Sequence, residues 1–234
     1  MFKIALGAGH YLGTAGKRCL KSLDPNETRE WWLNDRICDY VESYLKEYEG
    51  YALLRVDDTE GVDGISLEQR VKQANDWGAD VALAVHHNAG INGGKGGGIV
   101  CYTHPHAPAE THAWRDDLYN ALIKHTGLKG NRATPKATAN FYALRVTKMH
   151  AVLMELGFMD SATDVPVILT DEYAQSCARA IVEVLVARGK LTKKAGAESP
   201  AVYKVQIVLK NKASADGIVK EMKSRGYQAY TVKV

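Results

Sequence analysis

No apolar run in this chain approaches the ~20 residues that cross a bilayer as a helix, so a helical membrane protein is excluded. Cysteine is scarce. Cys19, Cys38, Cys101 and Cys177 lie far apart with no Cys-x-x-Cys pair, which excludes a zinc knuckle and a redox dithiol. They read as buried thiols of a reducing compartment. Neither sign of charge dominates: 30 Lys and Arg against 27 Asp and Glu leave a net +3. No basic run is interleaved with aromatics, so no nucleic-acid partner is expected, only a weak attraction to anionic surfaces. A secretory leader is not expected either, because a single Lys and a short apolar stretch precede Gly7, Gly9 and His10; synthesis in the cytoplasm without a signal peptide follows. What is present, 46% hydrophobic and 24% charged over 234 residues, suffices for one full core and a small second one.

The hydrophobic period alternates between strand and helix through most of the chain. Residues 2–6, 51–56, 81–86, 98–102 and 151–155 read as strands, and 29–49, 67–77, 109–125 and 171–188 as helices. Such alternation predicts an α/β fold, three layers with a mostly parallel sheet flanked by helices. Ser66 and Gln69 are spaced to form a capping box at the start of the second helix. The long loops 7–28 and 127–139 are functional by length alone. Residues 1–189 thus form one domain. Small and polar residues with Gly196 and Pro200 mark 190–201 as a linker. Beyond it, 202–209 reads as a strand, 214–225 as a helix with Ala215, Val219 and Met222 on one face, and 228–234 as a strand. Gly226 fits a helix end in the left-handed conformation. This βαβ unit of about 33 residues is too small to sustain a core by itself.

Three of the strands run out in groups that bind or work with metals: 4–10 in His10, 81–89 in His86 and His87, and 151–158 in Glu155. Such groups at the end of a buried strand are costly unless paired, and one divalent metal can pair with several at once. A hydrolytic zinc site needs three N or O ligands, an open position for water and a nearby carboxylate. His10 and His86 are candidates from their placement. Helical phase supplies the third, because Glu30 projects onto the stripe formed by Ile37, Val41, Tyr44, Leu45 and Tyr48. Glu27 is the rival, lying ahead of the helix. Adjacent strand residues point to opposite faces, so only one of His86 and His87 reaches the site of His10; the run 81–85, apolar throughout, does not choose between them. Glu155 stands among apolar residues, where burial raises its pKa toward that of a proton shuttle. A salt bridge to an Arg or Lys is the competing account.

Taken in order, His10, Glu30 with Asn34, His86-His87-Asn88-Ala89 and Glu155-Leu156-Gly157-Phe158 resemble the zinc-dependent N-acetylmuramoyl-L-alanine amidases of the type 3 amidase family. The resemblance covers most of residues 1–190. It implies His10, Glu30 and His86 as zinc ligands, with His87 as a neighbour, and Glu155 as the acid-base. It also matches Arg70 with Ala74-Asn75, and Asn131-Arg132 ahead of a strand-like 141–145. Asn88 and Arg132 are the implied substrate contacts, Arg132 toward a peptide carboxylate. The family's glycine-rich stretch is replaced here by residues 11–16, and Met159-Asp160-Ser161 stands where an Asn is common. The implied substrate is peptidoglycan and the implied reaction cleaves the amide between N-acetylmuramic acid and L-alanine. A zinc peptidase or deacetylase acting on another wall bond, or a non-catalytic wall-binding protein, are the alternatives. The tail resembles half of a SPOR (sporulation-related repeat) domain, a glycan-strand-binding module; either two chains pair their tails to complete one sheet, giving a homodimer, or the short tail packs on the catalytic domain. Without a leader, such an enzyme reaches the wall as a phage endolysin or as an autolysin of lysing cells.

Overall fold

The computed structural model describes residues 1–196 and 211–224. Two compact units divide the chain, Met1–Glu198 and Ser199–Val234. In the first, the elements in order are β1 (Phe2–Ala8), α1 (Glu30–Leu45), β2 (Tyr48–Glu49), β3 (Tyr51–Arg55), α2 (Leu67–Trp77), β4 (Val81–Asn88), β5 (Ile99–Thr103), α3 (Ala109–Thr126), β6 (Lys136–Thr138), α4 (Tyr142–Arg145), β7 (His150–Phe158), α5 (Val165–Ile168), α6 (Asp171–Gly189) and β8 (Thr192–Lys193). Six strands form one sheet in the order β3-β1-β4-β7-β5-β6. β3, β1, β4 and β7 are mutually parallel, whereas β5 is antiparallel to β7 and parallel to β6.

Strand side chains alternate between faces, and the two faces are covered differently. Val81, Leu83 and Val85 enter the main core with Ile37, Val41, Leu118 and Ile181, so α1, α3 and α6 cover that face. The opposite face is more thinly covered. There Ala5 packs with Ala74 and Ala79, and Ala82 and Ala84 with Leu144, Ala151 and Leu153, which places α2 and α4 over small side chains.

No side chain caps α1 at Arg29, a loss of about 1 kcal/mol. Burial outweighs it. Leu33, Ile37, Val41 and Leu45 are each at most 1% exposed, and side chains of this size contribute about 1.5–3 kcal/mol apiece. α2 spans the residues expected of it: Ser66 and Gln69 form the capping box, and Gly78 closes the helix at φ 69°. Asn75 ties α2 to the segment after α4, donating to the Val146 carbonyl at 3.1 Å and accepting from the Lys148 amide at 2.9 Å.

Two expectations are corrected. The first helix does not run to Glu49; it ends at Leu45, and Tyr48–Glu49 pair antiparallel with Thr192–Lys193. Tyr48 keeps the helical spacing from Tyr44, but the pairing with β8 and the turn at Gly50 (φ 89°) take it into a strand. Residues 141–145 are no strand: Tyr142–Arg145 is a helical turn that buries Leu144 against β7. β8 falls within the stretch read as a linker.

In the second unit α7 (Lys212–Ser224) is helical, with the Asn211 side chain accepting from the Ser214 amide at 2.8 Å. Ala215, Val219 and Met222 are partly shielded on one face. The strands expected at 202–209 and 228–234, and Gly226, lie outside the described residues.

Candidate metal centre

The ends of β1, β4 and β7 bring the chemistry together. In the parallel pairing of β4 with β7, His86 stands opposite Glu155, so both project from the same face. β1 borders β4 on its other side, and two residues beyond it comes His10, at φ 66°. That left-handed conformation costs a residue with a side chain about 1–2 kcal/mol. Gly9 before it cannot carry a side chain, since a Cβ there would lie 2.2 Å from the His86 ring. Glu30, the first residue of α1, is fully buried and is reached from the 7–28 loop, where the Lys17 carbonyl accepts from the Glu30 amide at 3.0 Å.

One donor atom from each of His10, Glu30 and His86 lies within 4.8 Å of the others. His86 Nδ1 is 3.2 Å from Glu30 Oε1 and His10 Nε2 is 3.4 Å from Oε2. The two imidazoles meet edge to face with centroids 5.1 Å apart. Burial acts to raise the Glu30 carboxyl, but the His10 and His86 rings beside it prevail and hold it well below the usual carboxylate range. Burial lowers His86, with Glu30 opposing. An ionised carboxylate and a neutral imidazole are the states in which these groups ligate metals. Among the described residues, Glu30 Oε2 and Glu155 Oε2 are buried without a hydrogen-bond partner. Two imidazoles, a carboxylate and orphaned buried oxygens fit a divalent ion with N and O ligands.

His87 goes the other way. Only 2% exposed, it places Nδ1 2.7 Å from Asn34 Oδ1 and donates its backbone N–H to Glu30 Oε1 at 3.1 Å. Burial pushes its pKa down to about 3. Its neutral ring orients Asn34 and, through the amide, Glu30. Glu27 stands apart, paired with Arg18 at 3.1 Å and Lys21 at 3.8 Å. Glu155 has no ion pair among the described residues; burial, then Glu30, pushes its carboxyl up to about 8, against a smaller pull from Lys17.

Beside this cluster lie the two expected substrate contacts. Asn88 accepts from the Ala89 amide at 2.8 Å. The exposed Arg132 stacks its guanidinium 4.7 Å from the Phe158 ring centroid. Its loop is fastened by Asn131, which accepts from the Gly97 amide at 2.9 Å. Two neighbours gave little sign of themselves in the sequence. Lys17 holds its ammonium 3.6 Å from Glu30 Oε2, and a lone lysine in a loop carries no period. Tyr102 is raised by burial and by Glu155 while Arg132 and Asn88 pull it down. Phe141 meets it edge-on at 5.4 Å and is 42% exposed. Asn34 was detectable, lying one helical turn after Glu30. A separate hollow of about 440 Å³, lined by Phe2, Asp80, Trp114 and His150 among others, lies at the opposite ends of β1, β4 and β7.

The chain is similar to known proteins in both sequence and fold. Residues 4–187 match the family described as N-acetylmuramoyl-L-alanine amidase. The chain is 33% identical over 233 residues to the sporulation-specific N-acetylmuramoyl-L-alanine amidase of Bacillus subtilis, covering 98% of this chain and 84% of that protein. It is 35% identical over 191 residues to the N-acetylmuramoyl-L-alanine amidase CwlM of Bacillus licheniformis, covering 80% and 70%. Its fold is similar to the catalytic domain of CwlV, an N-acetylmuramoyl-L-alanine amidase from Bacillus (Paenibacillus) polymyxa, with a TM-score of 0.72 at 21% identity over 82% of this chain and 100% of that one. Matched over more than three quarters of its length, the chain belongs to the N-acetylmuramoyl-L-alanine amidase family.

Proposed function

We propose that the chain hydrolyses the amide between the lactyl group of N-acetylmuramic acid and L-alanine in peptidoglycan, with zinc held by His10, Glu30 and His86 and with Glu155 as the acid-base. The observation that carries this reading is the pairing of His86 with Glu155 across β4 and β7, beside a buried Glu30 shared by two imidazoles. Bound there, the metal supplies Lewis-acid polarisation of the scissile carbonyl and a more acidic water. Glu155 Oε2, without a hydrogen bond among the described residues, takes the proton as the water oxygen bonds to the carbonyl carbon. It hands that proton to the leaving nitrogen as the carbon–nitrogen bond breaks. The products are a free lactyl carboxylate and a free L-alanine amine. Asn88 orients the substrate amide, and Arg132 receives a peptide carboxylate. The second unit acts as a SPOR-like wall-binding half-repeat.

Digestion of purified sacculi tests the bond, with new L-alanine amino termini and an intact glycan expected; new termini within the peptide or free glycan amines would point to a peptidase or a deacetylase. Glu155→Ala should keep zinc and lose turnover, whereas His86→Ala should lose both. Full activity in Glu155→Ala would remove that residue from the mechanism.

A further inference from the structure

His10 leaves the sheet through a turn that its own backbone barely supports. The last ladder-like bond is from the Gly9 amide to the Val85 carbonyl, at 2.8 Å. Beyond it the carbonyls of three successive residues are taken by side chains of two helices. Asn34 on α1 donates to the Gly9 carbonyl at 3.2 Å. Arg70 on α2 donates to the carbonyls on either side, Nη1 to Ala8 and Nη2 to His10 at 2.9 Å. Its Nε donates to the Ile65 carbonyl at 3.0 Å, which fixes the plane of the guanidinium. All three kinds of donor nitrogen on Arg70 are therefore committed to backbone oxygens. A planar fork of charged donors suits a pair of carbonyls flanking one peptide, whereas a lysine ammonium is a single flexible point.

The turn needs such a hold for two reasons. His10 sits at φ 66°, a conformation it does not adopt without support. Its ring must also stay edge-on to His86, whose own ring lies against Gly9. Rotation of the His10 peptide would carry Nε2 away from Glu30. We infer that Arg70 is a positioning residue of the metal centre, holding the Ala8–His10 turn so that His10 meets the ion; this rests on the metal-binding role proposed above for His10. Arg70 touches neither substrate nor metal in this role. It acts through the backbone of a ligand, as outer groups of metal sites commonly do.

Zinc affinity by chelator competition, together with the visible absorption of the cobalt(II)-loaded protein, tests the assignment without any substrate. Arg70→Ala should weaken zinc binding by about 10–100-fold and alter the cobalt spectrum, and Arg70→Lys should recover part of the affinity. Asn75→Ala is the comparator, since it unties the same helix from the Val146–Lys148 segment without touching the turn; it should leave affinity and spectrum unchanged. Wild-type affinity and spectrum in Arg70→Ala would overturn the assignment, as would an equal loss in Asn75→Ala, which would make it a matter of helix docking. Should Arg70→Ala not fold, Arg70→Lys decides by the same two readouts, and wild-type values there would overturn it. A wild-type protein that takes up neither metal would instead overturn the zinc reading itself.

Discussion

Glu155 keeps its proton where an exposed glutamate has lost it, because water is excluded from Oε2 and Glu30 is charged nearby. In the metal-free protein its pKa rises from 4.5 to about 8. The folded state then binds a proton that the unfolded chain has released, so this contribution to stability is complete below pH 4.5 and is lost as pH climbs through 8. His87 works in the opposite sense but below pH 6.5, since its pKa is depressed to about 3. Between pH 7 and 8, in the presence of a chelator, wild type should therefore lose about 1 kcal/mol relative to Glu155→Gln in urea unfolding. Parallel profiles for the two proteins would mean that Glu155 is ionised in the fold. Glu30 was legible from the sequence because helical phase aims a first-turn carboxylate inward. The choice between His86 and His87 was not, since a strand buried on both faces shows no alternation; the register with β7 makes it. Lys17 was illegible because its position depends on a loop.

Among the elements, β3 is joined to α1 by charge as well as by packing. Arg55 at its end lies 2.6 Å from Asp35, 3.0 Å from Asp39 and 2.8 Å from Asp57, with its side chain only 8% exposed. Replacing it with Met keeps the volume but leaves buried carboxylates without their cation. Arg55→Met should cost about 3–5 kcal/mol, read as a fall in the urea midpoint; a loss below 1 kcal/mol would show that solvent already screens the group. Elements were legible where local signals agreed. In α2 a capping box, an apolar face and a terminal glycine point to the same boundaries. Residues 142–145 lacked any such agreement, since one helical turn and a short strand of Tyr, Ala and Leu share the same pattern, and only Leu144 packing on β7 separates them. β2, β6 and β8 have two or three residues each and owe their existence to partners distant in sequence.

At the scale of the whole molecule, four positions spread from His10 to Glu155 meet only when β1, β4 and β7 pair in register and α1 packs on the sheet, so the centre cannot form in a partly assembled fold. No described helix is long and apolar enough to cross a membrane. If two tails complete one SPOR-like sheet, light scattering at micromolar concentration should give twice the chain mass of 25.7 kDa. A monodisperse monomer with its tail folded would rule that out. The four cysteines have a different bearing. Cys19, Cys38, Cys101 and Cys177 are each at most 1% exposed, and burial pushes the Cys19 and Cys177 thiols up to about 12. Alkylating reagents attack thiolates, so each sulfur stays silent until its surroundings open. Cys19 is held in the 7–28 loop by its backbone N–H, which donates to the Thr28 carbonyl at 2.8 Å, while the other three sit in α1, β5 and α6. The native chain therefore carries its own set of timed probes, one for the loop over Glu30 and three for the core, and the order in which they react records the order in which the protein comes apart.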